Sequence, residues 1–123
     1  MRRPSRQNLN EDLQWFGQCL GLFSLRDKDK SMFRIFIELL KAARQGEGMT
    51  SDDLAERLQL TRGTVVHHLH KLLESGIVTY EGRWYVLRDP RLERLVDEIE
   101  KDLLRACSDL KAAAQQIDER MRE

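Results

Sequence analysis

The chain has 123 residues, of which 41% are hydrophobic and 34% are charged, and its 21 basic side chains balance 21 acidic ones to a formal net charge of zero. This apolar share excludes a disordered chain, and no run approaches the ~18 apolar residues that a membrane-spanning helix needs. We therefore expect one folded unit with a single core and no membrane partner. No apolar leader segment follows the basic N-terminus, which indicates a cytoplasmic protein.

Residues 1–8 contain three arginines and a proline and are interpreted as a flexible basic arm, either lying along a partner or serving as a solubilising tail. From Leu9, apolar residues recur at alternating spacings of four and three, which predicts a helix with one apolar stripe. Asn8 or Asn10 would cap it. The stripe comprises Leu9, Leu13, Phe16, Leu20 and Phe23. A charged run follows, so residues 9–30 are predicted to form an N-terminal helix and a linker.

The next two helices are recognised by their ends. Ser31 to Arg44 carries an apolar face, and Gly46 and Gly48 are expected to end it. Thr50 or Ser51 would cap the third helix, because a side-chain oxygen at that place accepts a hydrogen bond from a free backbone N–H.

A fourth helix, capped by Thr61 and closed by Gly76, follows a tight turn at residues 59–61. Aromatic and β-branched residues then flank a glycine turn, which predicts a β-hairpin over residues 77–87. Two short helices at a tight turn with a hairpin behind them make a winged helix-turn-helix, here assigned to residues 31–89.

The fourth helix is apolar on one side and polar on the other, the form of a helix that enters a DNA major groove. Predicted readers of base edges are Arg62, Thr64, His67 and His70. Thr61 and Lys71 are predicted to hold phosphates, and Arg83 at the hairpin tip to reach a phosphate or the minor groove. The full predicted DNA-binding set is Thr61, Arg62, Gly63, Thr64, Val66, His67, His70, Lys71 and Arg83.

Several of these residues have a plainer reading. Arg83 could be a solvated turn residue, and His67 and His70 could be solvated surface or a metal- or pH-sensing pair. His68 falls at the edge of the apolar face, where we expect a partly buried side chain. Core packing and hairpin stabilisation are expected for Trp84 and Tyr85, in preference to nucleic-acid stacking.

The last predicted helix, within residues 90–123, has apolar residues that alternate spacings of four and three without a slip. A period of 3.5 is typical of a coiled coil, and so long a stripe needs a second helix, most economically its own copy. We therefore predict a homodimer. The predicted interface comprises Leu92, Val96, Ile99, Leu103, Ala106, Leu110, Ala113 and Ile117, together with Leu13, Phe16 and Leu20 of the first helix.

The helix-turn-helix resembles that of the ArsR-like transcriptional regulators, and MarR-, PadR- and TrmB-like regulators share much of the pattern. The matching residues are Ser51, Leu54-Ala55, Leu58-Gln59-Leu60-Thr61-Arg62-Gly63-Thr64-Val65, His68-Leu69, Leu72 and Ser75-Gly76-Ile77-Val78. The resemblance implies a dimer that binds a pseudo-palindromic operator in double-stranded DNA, with one recognition helix per half-site. Half-sites would then lie about 10 base pairs apart, or a multiple of that.

Metal sensors of that family carry a Cys-x-Cys cluster before the turn or paired His and Asp residues on the last helix, and this sequence has neither. We accordingly expect no metal and no cofactor. Cys19 and Cys107 are far apart and fall in helical patterns, so both are expected to be buried structural cysteines, with a redox switch as the alternative.

The sequence thus predicts a dimeric, sequence-specific DNA-binding transcriptional regulator, with repression the expected outcome. The alternative is a winged-helix module for protein–protein assembly that dimerises through its C-terminal helix, which the neutral net charge fits better. An enzyme is not expected, because the sequence contains no glycine-rich phosphate loop and no nucleophile elbow.

Overall fold

A computed structural model describes residues 8–22 and 30–122, so most of the predicted basic arm and Phe23 lie outside the described residues. The elements, in chain order, are α1 (Leu9–Cys19), α2 (Ser31–Arg44), α3 (Ser51–Leu58), α4 (Arg62–Glu74), β1 (Val78–Glu81), β2 (Trp84–Leu87) and α5 (Leu92–Met121). The predicted fold class is confirmed: a mainly α winged helix-turn-helix with a small β-hairpin, an N-terminal helix and a long C-terminal helix. Described residues up to Arg88 form one compact unit, the N-terminal unit, and those from Asp89 form a second, the C-terminal unit.

Side-chain caps start three of the helices where the sequence indicated. The Asn8 carboxamide accepts from the backbone N–H of Glu11 at 2.8 Å and begins α1. At α3 the Thr50 hydroxyl accepts from Asp53 N–H at 3.0 Å while the Asp53 carboxylate accepts from Thr50 N–H at 3.3 Å. This reciprocal pair satisfies two backbone donors that the helix leaves free, and it settles the choice between Thr50 and Ser51.

The core of the N-terminal unit is built from one face of each helix and the inner side of the hairpin. Phe36 of α2 is fully buried, and the ring of Phe16 on α1 lies 6.2 Å from it between centroids. The other wholly or almost wholly buried side chains of this unit are Leu22, Ile35, Leu39, Leu54, Val65, Leu69, Leu72, Ile77, Val78 and Leu87. The amphipathic pattern of α4 therefore has its apolar side in the core and leaves the other side free.

The hairpin pairs Val78 with Leu87 and Glu81 with Trp84, and Gly82 makes its turn with a φ of 69°. Met49 pairs with the hairpin as a single antiparallel bridge, since it exchanges two backbone hydrogen bonds with Tyr85 at 2.8 and 3.0 Å. Gly48 permits this approach: a Cβ there would lie 2.9 Å from Cγ2 of Val86. α2 ends at Arg44 as expected, and Gly46, with a φ of 74°, terminates it, whereas Gly48 serves the approach to β2 rather than the helix end.

The C-terminal unit contains α5, a single helix of 30 residues. Every residue from Leu103 to Arg122 is exposed in the single chain, although apolar residues recur along it. No helix within residues 8–22 and 30–122 has the length and apolar character required to cross a bilayer.

The expectation of two buried cysteines was wrong, because Cys19 and Cys107 are both exposed. Each lies on a helix but outside its apolar stripe, and a helical pattern by itself does not bury a residue that stands beside the stripe.

Candidate nucleic-acid interface

The turn between α3 and α4 is held by contacts that extend beyond the turn itself. Gln59 adopts the left-handed conformation with a φ of 58°, which costs a non-glycine residue roughly 1–2 kcal/mol. The guanidinium of Arg34 on α2 donates to the carbonyl of Leu58 at 2.7 Å, and Leu60 N–H donates to Ala55 at 2.9 Å. A hydrogen bond from a charged donor contributes about 1.5–3 kcal/mol, enough to offset the strained residue. Arg34, which the sequence did not single out, is thus a positioning residue for α4.

The first turn of α4 is capped by a pair of threonines. The Thr61 hydroxyl accepts from Thr64 N–H at 3.2 Å and lies 2.9 Å from the Thr64 hydroxyl, so both threonines are engaged with the helix end. Arg62 and Gly63 beside them are exposed. A Cβ on Gly63 would meet no atom within 4 Å, so no contact inside the chain requires glycine there.

The three histidines of α4 differ in their exposure. His68 is buried at 8% exposure, with the ring of His67 tilted against it at 5.5 Å between centroids. His67, His70 and Lys71 are exposed, whereas Thr64 and Val66 are half-buried. The partly buried role predicted for His68 agrees with its place in the core. Among the described residues, no three His, Cys, Asp or Glu side chains come together as a metal site.

Arg62 has a partner in the unbound protein. Its Nε lies 3.7 Å from a carboxylate oxygen of Asp52 on α3, and the two side chains are 74% and 77% exposed. An ion pair so open to water contributes little to stability, about 0–1 kcal/mol, and exchanges readily for another anion. Arg62 is therefore oriented near the start of α4 while staying available to a phosphate or base.

The hairpin forms the wing of the N-terminal unit. Arg83 stands at its tip, with its guanidinium carbon 5.1 Å from the centroid of the Trp84 ring. Trp84 is 42% exposed, so the expectation of core packing was wrong for this residue: its ring lies under the guanidinium of Arg83. Tyr80 and Tyr85 pair across the strands at 4.7 Å between ring centroids, which agrees with the predicted hairpin stabilisation.

The predicted dimer residues fall into two groups. Leu13 on α1 and Leu20 at its C-cap are half-buried, and the half-buried ring of Phe16 already packs against Phe36 of the same chain. On α5 most of the stripe is open to solvent: Val96, Leu103, Leu110 and Ile117 are between 43% and 68% exposed. Ala106 and Ala113 are also exposed, and Leu92 and Ile99 are half-buried.

Comparison with known proteins gives one match. A family model described as a helix-turn-helix domain matches residues 29–81, which include α2, α3, α4 and β1. The match shows that this part of the chain is similar to a helix-turn-helix domain, a kind of domain that typically binds DNA in transcription regulators. No curated protein and no solved structure matches the chain.

Proposed function

We propose that the protein is a dimeric transcriptional regulator that binds a specific double-stranded DNA sequence, most simply as a repressor, with α4 in the major groove. The observation that carries this proposal is the outer face of α4. Arg62, Gly63, His67, His70 and Lys71 are all exposed there, while the opposite side of the same helix is buried. A polar helix face supported by a rigid core is what direct readout of base edges requires.

The roles we propose follow from side-chain chemistry and position. Arg62 can bind guanine O6 and N7 through two hydrogen bonds, and His67 and His70 can reach further base edges from the next turns. Thr64 and Val66 are half-buried and offer methyl groups for contact with thymine. Thr61 and Lys71 would hold phosphates, with Gly63 allowing the backbone to approach closely.

The wing would contact the DNA beside the major groove. Arg83 is held over Trp84 at the hairpin tip, so its charge is presented on a rigid support. From there it would bind a phosphate or enter the minor groove. The motif supports an ArsR-like subfamily without the metal-sensing function, with MarR-, PadR- and TrmB-like regulators as the alternatives.

Dimerisation would use the stripe of α5. Full burial of a Leu or Ile side chain stabilises by about 1.5–3 kcal/mol, and Leu103, Leu110 and Ile117 would regain roughly half of that each. Six such side chains in a dimer contribute about 6 kcal/mol, comparable with the ~4–15 kcal/mol that association costs. The alanines and the half-buried apolar residues of α1 and α5 would add to this, so we expect a dimer that dissociates on dilution.

Selection from random DNA pools across a salt series tests the function. A regulator should enrich one motif with dyad symmetry and lose affinity as salt rises; a pool without any enriched motif would contradict sequence-specific binding and favour the assembly module.

The assigned roles are tested on the selected operator. Arg62→Ala and His67→Ala should weaken operator binding more than random-DNA binding. Lys71→Ala should weaken both alike and lower the salt slope by about one. Lys41→Ala is the matched control, since this lysine is 68% exposed on α2 and outside the proposed interface. Equal losses for all the α4 variants on both DNAs would contradict the division of roles.

A further inference from the structure

The stripe of α5 has an order of side-chain sizes that distinguishes the two ways of pairing it with a second copy. From residue 99 to 117 it consists of Ile99, Leu103, Ala106, Leu110, Ala113 and Ile117. Leucine and alanine thus alternate in the middle, with isoleucine at both ends. Leu103, Leu110 and Ile117 are 55–68% exposed, so this part of the stripe is not buried within the single chain.

A parallel pair would place each stripe residue beside its own copy. The layers at Ala106 and Ala113 would then hold two methyl groups, between layers that hold two leucines each. A core that alternates wide and narrow layers leaves voids at the narrow ones, and protein interiors tolerate such voids poorly. Filling them would require the helix axes to approach and separate within one heptad, which a straight helix cannot do.

An antiparallel pair removes this mismatch. When the two helices cross with Ser108 near the centre, Ile99 meets Ile117, Leu103 meets Ala113, and Ala106 meets Leu110. Each of the four central layers then contains one leucine and one alanine, so the spacing between the helices is constant. We propose that α5 pairs antiparallel with α5 of a second copy in this register. The proposal rests on the dimer of the proposed function and gives it a direction.

The sides of the stripe agree with this direction. On one side stand Glu100, Cys107 and Ala114, and on the other stand Asp102, Asp109 and Gln116. In an antiparallel pair like sides meet, so the small Cys107 closes against its own copy, whereas a parallel pair would set Cys107 against Asp102 and Ala114 against Asp109. The repulsion in the antiparallel pair is limited, because Asp109 meets its own copy in a position open to water and Asp102 already pairs with Arg105.

The direction also determines where the two DNA-binding parts are attached. α5 has 30 residues and rises 1.5 Å per residue, so in this register the first residues of the two helices are about 45–50 Å apart. In a parallel pair they would be adjacent, about 10 Å apart. Antiparallel pairing therefore attaches the two DNA-binding parts at points further apart than one turn of DNA, about 34 Å.

Disulfide cross-linking tests the direction in the full chain. Cys19 and Cys107 are exposed and can both be replaced by serine. In that background, Leu103→Cys protein is mixed with Ala113→Cys protein that carries a longer tag, and the mixture is oxidised mildly. We expect a mixed dimer of intermediate mass on a non-reducing gel, and at least tenfold less self-linked product from either variant alone. Ala106→Cys with Leu110→Cys is a second pair, and Ser108→Cys, outside the stripe, is the control that should not cross-link.

Three outcomes are distinguishable. A mixed product from either pair supports the antiparallel register. Self-linking of Leu103→Cys, or a dimer by light scattering in which neither mixed pair cross-links, overturns it while leaving the dimer intact. A monomer by light scattering at every concentration overturns both the dimer of the proposed function and its direction. Circular dichroism of each variant confirms that α5 is still helical before the result is read.

Discussion

Replacing Gly63 by alanine separates the stability of the N-terminal unit from its binding to DNA. Gly63 is the second residue of α4, and a Cβ built there meets no atom within 4 Å. The substitution therefore adds no clash and removes the conformational cost of a glycine in a helix, so the free energy of unfolding should rise by about 0.5–1 kcal/mol. That gain corresponds to a rise in melting temperature of a few degrees for a unit of this size.

The same methyl group should weaken DNA binding. If the first turn of α4 approaches the groove as proposed, an added Cβ lies between the helix backbone and the DNA, and we expect about a tenfold loss of operator affinity, or ~1.4 kcal/mol. Urea denaturation measures the stability, and fluorescence anisotropy of a labelled operator at fixed salt measures the affinity. A more stable protein with unchanged operator affinity would refute the close approach at this residue.

Gly46→Ala is the matched control for that experiment. Gly46 also has no atom within 4 Å of a built Cβ, but its φ is 74°, a conformation that an L side chain adopts only under strain. The variant should lose roughly 1 kcal/mol of stability, opposite in sign to Gly63→Ala, and the folded fraction should bind the operator with unchanged affinity.

Three other contacts are tested by further substitutions. Gly48→Ala should destabilise the fold by about 1–3 kcal/mol in urea denaturation, because its Cβ would lie 3.1 Å from the backbone oxygen of Tyr85; normal stability would mean that the strand pairing at Met49 is dispensable. Asp52→Asn removes the negative charge beside Arg62 and should raise random-DNA affinity by up to about fivefold at low salt, or ~1 kcal/mol; no change would show that the ion pair does not compete with DNA. Leu110→Glu should shift the light-scattering mass towards monomer, whereas the control Ser108→Glu should not. If the Leu110→Glu variant remains a dimer, the interface lies elsewhere.

The elements of this protein could be predicted because their signals are local. A helix N-cap is a side-chain oxygen that accepts from a backbone N–H two or three residues on, so Thr61 could be recognised from neighbouring residues alone, and the caps of α1 and α3 could be narrowed to two residues each. The apolar spacing of α4 indicated which side would enter the core, and Val65, Leu69 and Leu72 are buried accordingly. The DNA-contacting and dimer residues remain predictions, since their partners are other molecules.

Other features depend on residues that are far apart in the sequence. Met49 pairs with Tyr85 and Arg34 donates to Leu58, 24 residues away, and no local period records either partner. The position of Trp84 was not recorded locally either. The alternation of residues along β2 predicted that its ring would point inward, but the ring is exposed and lies under Arg83.

The sequence by itself determined where the helices begin, which face of each is apolar, and that α5 carries an unbroken stripe, whereas α1 ends at Cys19, before the last two residues of its predicted stripe. These follow from short-range hydrogen bonding and from the period of the side chains along the backbone. The tertiary structure alone decided how the turn before α4 is held, why Gly48 is required, and that Arg62 is paired with Asp52 before any DNA arrives. Those features are contacts between residues that are not neighbours in the sequence, and their stability depends on the packing that brings the residues together.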